Sequence, residues 1–124
     1  MKNFLTIHSS IYLIFAVVLF FIPNQLWPLY GMQINDEYAM FLSQHNSIFL
    51  GGIGFIGLFF RNMQSNIEVY TQLLKGLLVT NLLGFIITFY ACLKGYFSGF
   101  GWSDPIFFFV LLILCFIEIK KINK

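Results

Sequence analysis

Residues 38–61, YAMFLSQHNSIFLGGIGFIGLFFR, constrain the fold more than any other part of the chain. The run is long and apolar enough to cross a bilayer. Yet its first half carries five consecutive polar residues, Ser43, Gln44, His45, Asn46 and Ser47, and its second half carries Gly51, Gly52, Gly54 and Gly57. Polar groups in hydrocarbon are costly unless they face protein or water. Glycines in a membrane helix let another backbone approach closely. The stretch is therefore expected to be the buried centre of a bundle.

Composition agrees on the solvent. Aliphatic, aromatic and cysteine residues make up 59% of the 124 residues and charged residues 10%, where soluble domains are nearer a quarter charged. A soluble chain of this length could not hide that much apolar surface. The expected fold class is all-α: an integral membrane four-helix bundle forming a single transmembrane domain over residues 1–124. A net charge of +2, with the basic residues scattered in ones and twos, offers no stripe for a phosphate backbone and argues against nucleic acid.

The four helices are expected at about residues 3–22, 38–60, 66–94 and 105–119. Pro23 and Asn24 end the first. Residues 24–37 form a loop without Lys or Arg, whose Trp27 and Tyr30 suit a membrane–water interface. Asn35, Asp36 and Glu37 cap and charge the start of the second helix. Ser65-Asn66-Ile67-Glu68 has the form of a capping box for the third, whose Glu68, Gln72 and Lys75 share one wet face. A loop rich in glycine and aromatic residues follows. Ser103 or Asp104 then caps the fourth helix, with Pro105 at its first position. Fifteen residues are short for a span of about 20, so the stems of Lys120 and Lys121 must help to cover the thickness.

With the N-terminus inside, Lys2, Arg61, Lys75, Lys120, Lys121 and Lys124 are cytoplasmic and only Lys94 is outside. This positive-inside bias predicts N-in/C-in topology in the inner (plasma) membrane, multi-pass. Cys92 and Cys115 then lie near opposite faces, too far apart for an internal disulfide.

Small and polar residues recur at helical spacing. Gln44, Ser47, Gly51 and Gly54 form one stripe on the second helix; Asn81, Gly84, Thr88, Ala91 and Gly95 form another on the third. The first helix has a weaker set, Thr6, Ser9 and Ala16, and the fourth has none. The second and third helices are therefore expected to pack most tightly, through Ser47, Gly51, Gly54 and Gly84, with the fourth most exposed to lipid. Asn81 and Gly51 come at similar depths, so Asn81 is placed to bond backbone near that glycine.

His45 is the sharpest chemical candidate, because a histidine within a span can relay protons or hold a ligand. With Gln44, Asn46, Asn81 and Thr88 it outlines a candidate ligand cavity. The plain alternative is a neutral imidazole bonded to a neighbouring helix. His8 differs from His45 in depth by roughly 16 Å, so the two cannot share a metal, and no metal or other cofactor is expected. Glu118 is at about the depth of His8, but snorkelling beside Lys120 is favoured over a pair. No GxSxG elbow or acidic partner accompanies His45, GGIGFIG follows no strand, and there is no CxxC. Catalysis is not expected.

The order of FFIPNQLWPLYG, a short loop with Asp36, a glycine-rich second helix leading to FFRN, a third helix and a last helix ending in basic residues resembles the DoxX-like superfamily of small four-helix bacterial membrane proteins. The resemblance spans nearly the whole chain and rests on layout. It implies a membrane bundle. Where many members carry an arginine in the first half of helix two, Gln44 and His45 stand here. The expected role is packing or partner binding, the partners being the lipid bilayer and a further copy or another membrane protein. The alternative is a binder or carrier of a small or lipidic molecule near His45 and Asn81.

Overall fold

The computed structural model describes residues 4–32 and 36–122. Lys2, Asn3, Asn35 and Lys124 lie outside the described residues. The regular elements are all helical: α1 (Phe4–Phe21), α2 (Pro23–Leu26), α3 (Glu37–Phe59), α4 (Ile67–Leu93) and α5 (Ser103–Ile122), with 3-10 turns at Trp27–Tyr30, Arg61–Met63 and Gly99–Trp102. The four long helices overlie the four expected segments, with α5 extending beyond both ends of the one expected at 105–119. The chain divides into two compact units, Lys2–Asn62 and Met63–Lys124.

In the first unit α1 packs against α3. Ser43 bonds to Leu19, Gln44 to Phe20, and Gly54 approaches Leu13 and Ser9. Partner numbers fall on α1 as they rise on α3, so the helices are antiparallel. Asp36 caps α3 as expected, accepting from the Ala39 amide at 2.8 Å. The first part of the expected loop after α1 is instead helical, through Pro23–Leu26 and Trp27–Tyr30. Pro23 fits the first turn of α2 because it has no amide hydrogen to satisfy there. The 3-10 turn beyond it ends at Gly31, whose φ of 81° suits glycine.

In the second unit α4 packs against α5, again antiparallel, since Tyr70 meets Glu118, Asn81 meets Cys115 and Phe85 meets Phe109. Asn66, rather than Ser65, is the cap of α4, and its side chain accepts from the Val69 amide at 3.2 Å. Gly95 does not extend the α4 stripe. It lies past the helix end with φ 82°, and the Tyr96 amide folds back to the Ala91 carbonyl at 2.8 Å. That reversal satisfies a carbonyl the helix end would leave open. α5 begins at Ser103 and runs 20 residues, so Pro105 is its third residue and the helix exceeds the expected fifteen.

The expected pairing of small-residue stripes is corrected. The α3 stripe is filled by α1, and Gly84 of α4 is filled by Phe108 of α5: a Cβ on Gly84 would come within 2.6 Å of that ring. A groove of small residues accepts a large side chain as readily as another small one. Helices joined by short connections reach each other first. α5, expected to be the most lipid-exposed, turns Leu111, Cys115 and Glu118 inward at helical spacing.

Candidate functional site

The polar run on α3 splits between two faces. Ser43 and Ser47 are buried, while His45 and Asn46 are exposed. Successive helical residues are about 100° apart, so five polar residues in a row cannot all face one neighbour. Ser43 Oγ accepts from Trp27 Nε1 at 2.9 Å and donates to the Leu19 carbonyl at 3.3 Å. Gln44 Nε2 donates to the Phe20 carbonyl at 3.1 Å. Ser47 Oγ donates to the Gln44 carbonyl at 2.6 Å. Ser43 and Gln44 tie α3 to the C-terminal end of α1, where the last carbonyls lack intrahelical partners, while the Ser47 bond stays within α3. His45 has its ring between Phe41 and Phe49, with centroids at 5.9 and 5.2 Å.

Of the packing residues expected on α3, Gly54 is tightly enclosed, its Cβ position 2.7 Å from Leu13 Cγ. Gly51 is not: a Cβ there would be 3.6 Å from Ala16 Cβ, an ordinary contact. Gly57, absent from the expected set, is closed by Ser9. Ser43, Ser47, Gly54 and Gly57 are the buried α3 residues. Their 4, 7, 3 spacing was a readable signal; it shares Ser47 and Gly54 with the expected stripe and replaces Gln44 and Gly51 with Ser43 and Gly57.

In the second unit, Asn81 is fully buried and its Nδ2 donates to Cys115 Sγ at 3.7 Å. Thr88 Oγ1 donates to the Gly84 carbonyl of its own helix at 2.7 Å. Cys92 Sγ donates to the Gly101 carbonyl at 3.7 Å. Both cysteines are free and buried. Glu118, expected to snorkel, is 4% exposed and accepts from the Tyr70 hydroxyl at 3.0 Å. The hydrogen bond explains the burial: a phenol on the facing helix supplies a donor that water would otherwise give. Glu68, Gln72 and Lys75 are exposed as expected. His8 is buried and stacks on Tyr12, ring centroids 4.8 Å apart.

The five candidate ligand residues thus have separate settings. Gln44 holds α1, Asn81 holds α5, Thr88 bonds to its own turn, and His45 and Asn46 are open. Two surface grooves are lined by other residues. One, of about 720 Å³, lies between α1 and α3 around Ala16, Phe20, Ile48, Gly51, Gly52 and Phe55. The other, of about 290 Å³, is walled by Phe85, Phe89, Trp102, Pro105, Ile106 and Phe109. Among the described residues no three His, Cys, Asp or Glu side chains gather to hold a metal ion.

Comparison with family models, with curated proteins and with solved structures returns no match. Two helices, Phe4–Phe21 and Ile67–Leu93, are long and apolar enough to cross a membrane. α3 is diluted by its polar run and glycines, and α5 by Glu118, Lys120 and Lys121.

Proposed function

We propose that this chain is a multi-pass protein of the inner (plasma) membrane. Its four long helices all cross the bilayer, both termini are cytoplasmic, and its role is packing or partner binding without catalysis. One observation carries the reading: exposed large apolar side chains outnumber buried ones among the described residues. Phe21, Phe59, Ile14 and Leu93 face outward, while Ser9, Ser47, Asn81 and Glu118 are buried. Water would reverse that distribution; lipid favours it, because hydrocarbon outside leaves close packing and hydrogen bonds as the forces between helices. Only 22% of the apolar stretch of α4 is buried, which argues against its being the core helix of a soluble domain. Helix order, the residues 23–30 segment and the basic end of α5 support placing the chain with the DoxX-like proteins.

Membrane fractionation with a topology reporter at Asn62 and at Tyr96 tests this. The expected result is a carbonate-resistant membrane protein with position 62 inside and position 96 outside. Release by carbonate, or both reporters on one side, contradicts it.

A second reading, binding of a lipidic molecule, is favoured by the α1–α3 groove. Its residues are not all needed for helix packing, since a Cβ on Gly52 would meet nothing within 4 Å.

A further inference from the structure

The groove between α1 and α3 has the size of a ligand site and almost no polar lining. Its volume of about 720 Å³ lies within the roughly 300–1,000 Å³ of small-molecule pockets. Ala16, Phe20, Ile48, Gly51, Gly52 and Phe55 are among its lining residues. The open space at Gly52 separates it from Gly54 and Gly57, whose missing side chains are filled by α1. An apolar lining selects hydrocarbon.

One end of the groove is different. Phe41, His45, Ile48 and Gly52 follow at spacings of 4, 3 and 4, so they share one stripe of α3. The line of the groove therefore leads to an exposed imidazole, with the exposed Asn46 amide beside it. His45 is eight residues into α3, about 12 Å along its axis. The interfacial layer of a bilayer is roughly 5–7 Å deep on each side. In the proposed topology this polar end lies roughly 5–7 Å below the interfacial layer, where the ester carbonyl at the head of an acyl chain is the nearest lipid acceptor. An apolar trough with hydrogen-bond donors at its headgroup end complements an amphiphile, with its tail along the trough and its head at the donors.

We infer that this groove holds one acyl chain of a bilayer phospholipid, with its ester oxygens at His45. The inference rests on the membrane reading and sharpens the lipid-binding one. A transmembrane helix from a second copy is the competing occupant. It would bring apolar side chains against His45 and Asn46 and leave their donors unmatched.

The protein is reconstituted into phosphatidylethanolamine/phosphatidylglycerol vesicles doped with a phospholipid carrying a diazirine on one acyl chain. Photolabelled residues are then mapped by mass spectrometry. Labelling is expected at Val17, Ile48 and Phe55, at least fivefold above the similarly exposed Ile87 and Ile113 of the other unit. Gly52→Leu, which grows into open space, should reduce groove labelling at least fivefold. Gly76→Leu, whose Cβ also meets nothing within 4 Å, should leave it unchanged. His45→Ala should at least halve the phospholipid retained through detergent in native mass spectra. Labelling that merely tracks exposure and ignores Gly52→Leu overturns the inference, as does a groove shielded from lipid and cross-linked to a second copy. Both outcomes leave the membrane reading standing. A chain that stays soluble without vesicles or detergent overturns both.

Discussion

The hydroxyl of Tyr70, in the first turn of α4, donates to the carboxylate of Glu118, in the last turns of α5, across 3.0 Å of buried space. The bond joins the two ends of the second hairpin that are farthest from its connecting loop. Those ends would fray first, because no short connection holds them together. Tyr70→Phe removes the donor and keeps the ring. It is expected to destabilise the hairpin by about 1–3 kcal/mol, the usual result of depriving a buried acceptor of a partner. Glu118→Gln keeps an oxygen acceptor and should cost less. Thermal unfolding of both variants in detergent checks the order. A Tyr70→Phe protein as stable as the parent would show that the bond contributes nothing.

Gly84 and Gly76 are on the same helix in opposite settings. A Cβ on Gly84 would strike the Phe108 ring, whereas one on Gly76 meets nothing within 4 Å. Gly84→Ala should destabilise by about 1–3 kcal/mol through overpacking. Gly76→Ala should be neutral or stabilising by up to about 1 kcal/mol, since alanine is the better helix former. Pairing Gly84→Ala with Phe108→Leu should recover part of the loss. A double-mutant cycle read by denaturation gives the coupling, and additive effects would contradict the contact.

The glycines of α3 should rank by enclosure. Gly54→Ala meets Leu13 Cγ at 2.7 Å and the Ser9 carbonyl at 3.1 Å, and Gly57→Ala meets the Ser9 side chain. Both should lower stability by more than 1 kcal/mol. Gly51→Ala makes only an ordinary contact with Ala16 and should be tolerated. Melting temperatures of the three variants decide this, and equal effects would mean that α1 does not sit against Gly54 and Gly57.

Ser43 serves two groups at once, accepting from Trp27 Nε1 and donating to the Leu19 carbonyl. Ser43→Ala should remove this acceptor from the indole, shift Trp27 emission and cost about 1 kcal/mol. Measured in a Trp102→Phe background, so that Trp27 is the remaining tryptophan, an unchanged spectrum would contradict the bond.

The helices were legible because hydrophobic run length and capping chemistry are local. Asp36 and the run after it announce α3, and the charge-free, mostly apolar stretch after Lys75 announces α4. The partners were not legible. Gly54 and Gly84 state only that something comes close; whether a small residue or a ring such as Phe108 fills the space depends on which helices are neighbours. Asn46 and Ser47, adjacent in sequence, are exposed and buried respectively, a division set by where α1 lies. Glu118 looked like an inner-surface anchor because it precedes Lys120 and Lys121. The facing Tyr70, 48 positions earlier, supplies a hydrogen-bond donor to its buried carboxylate. His45 drew attention as an ionisable group within a span, and its exposed setting between Phe41 and Phe49 emerges only from the rotation of α3.

The most direct test of lipid as the solvent of these helices is analytical ultracentrifugation of the purified protein as detergent is removed, with and without phospholipid vesicles. The expected result is that the protein floats with the vesicles and precipitates in their absence. A compact, monodisperse particle sedimenting in plain buffer would contradict it.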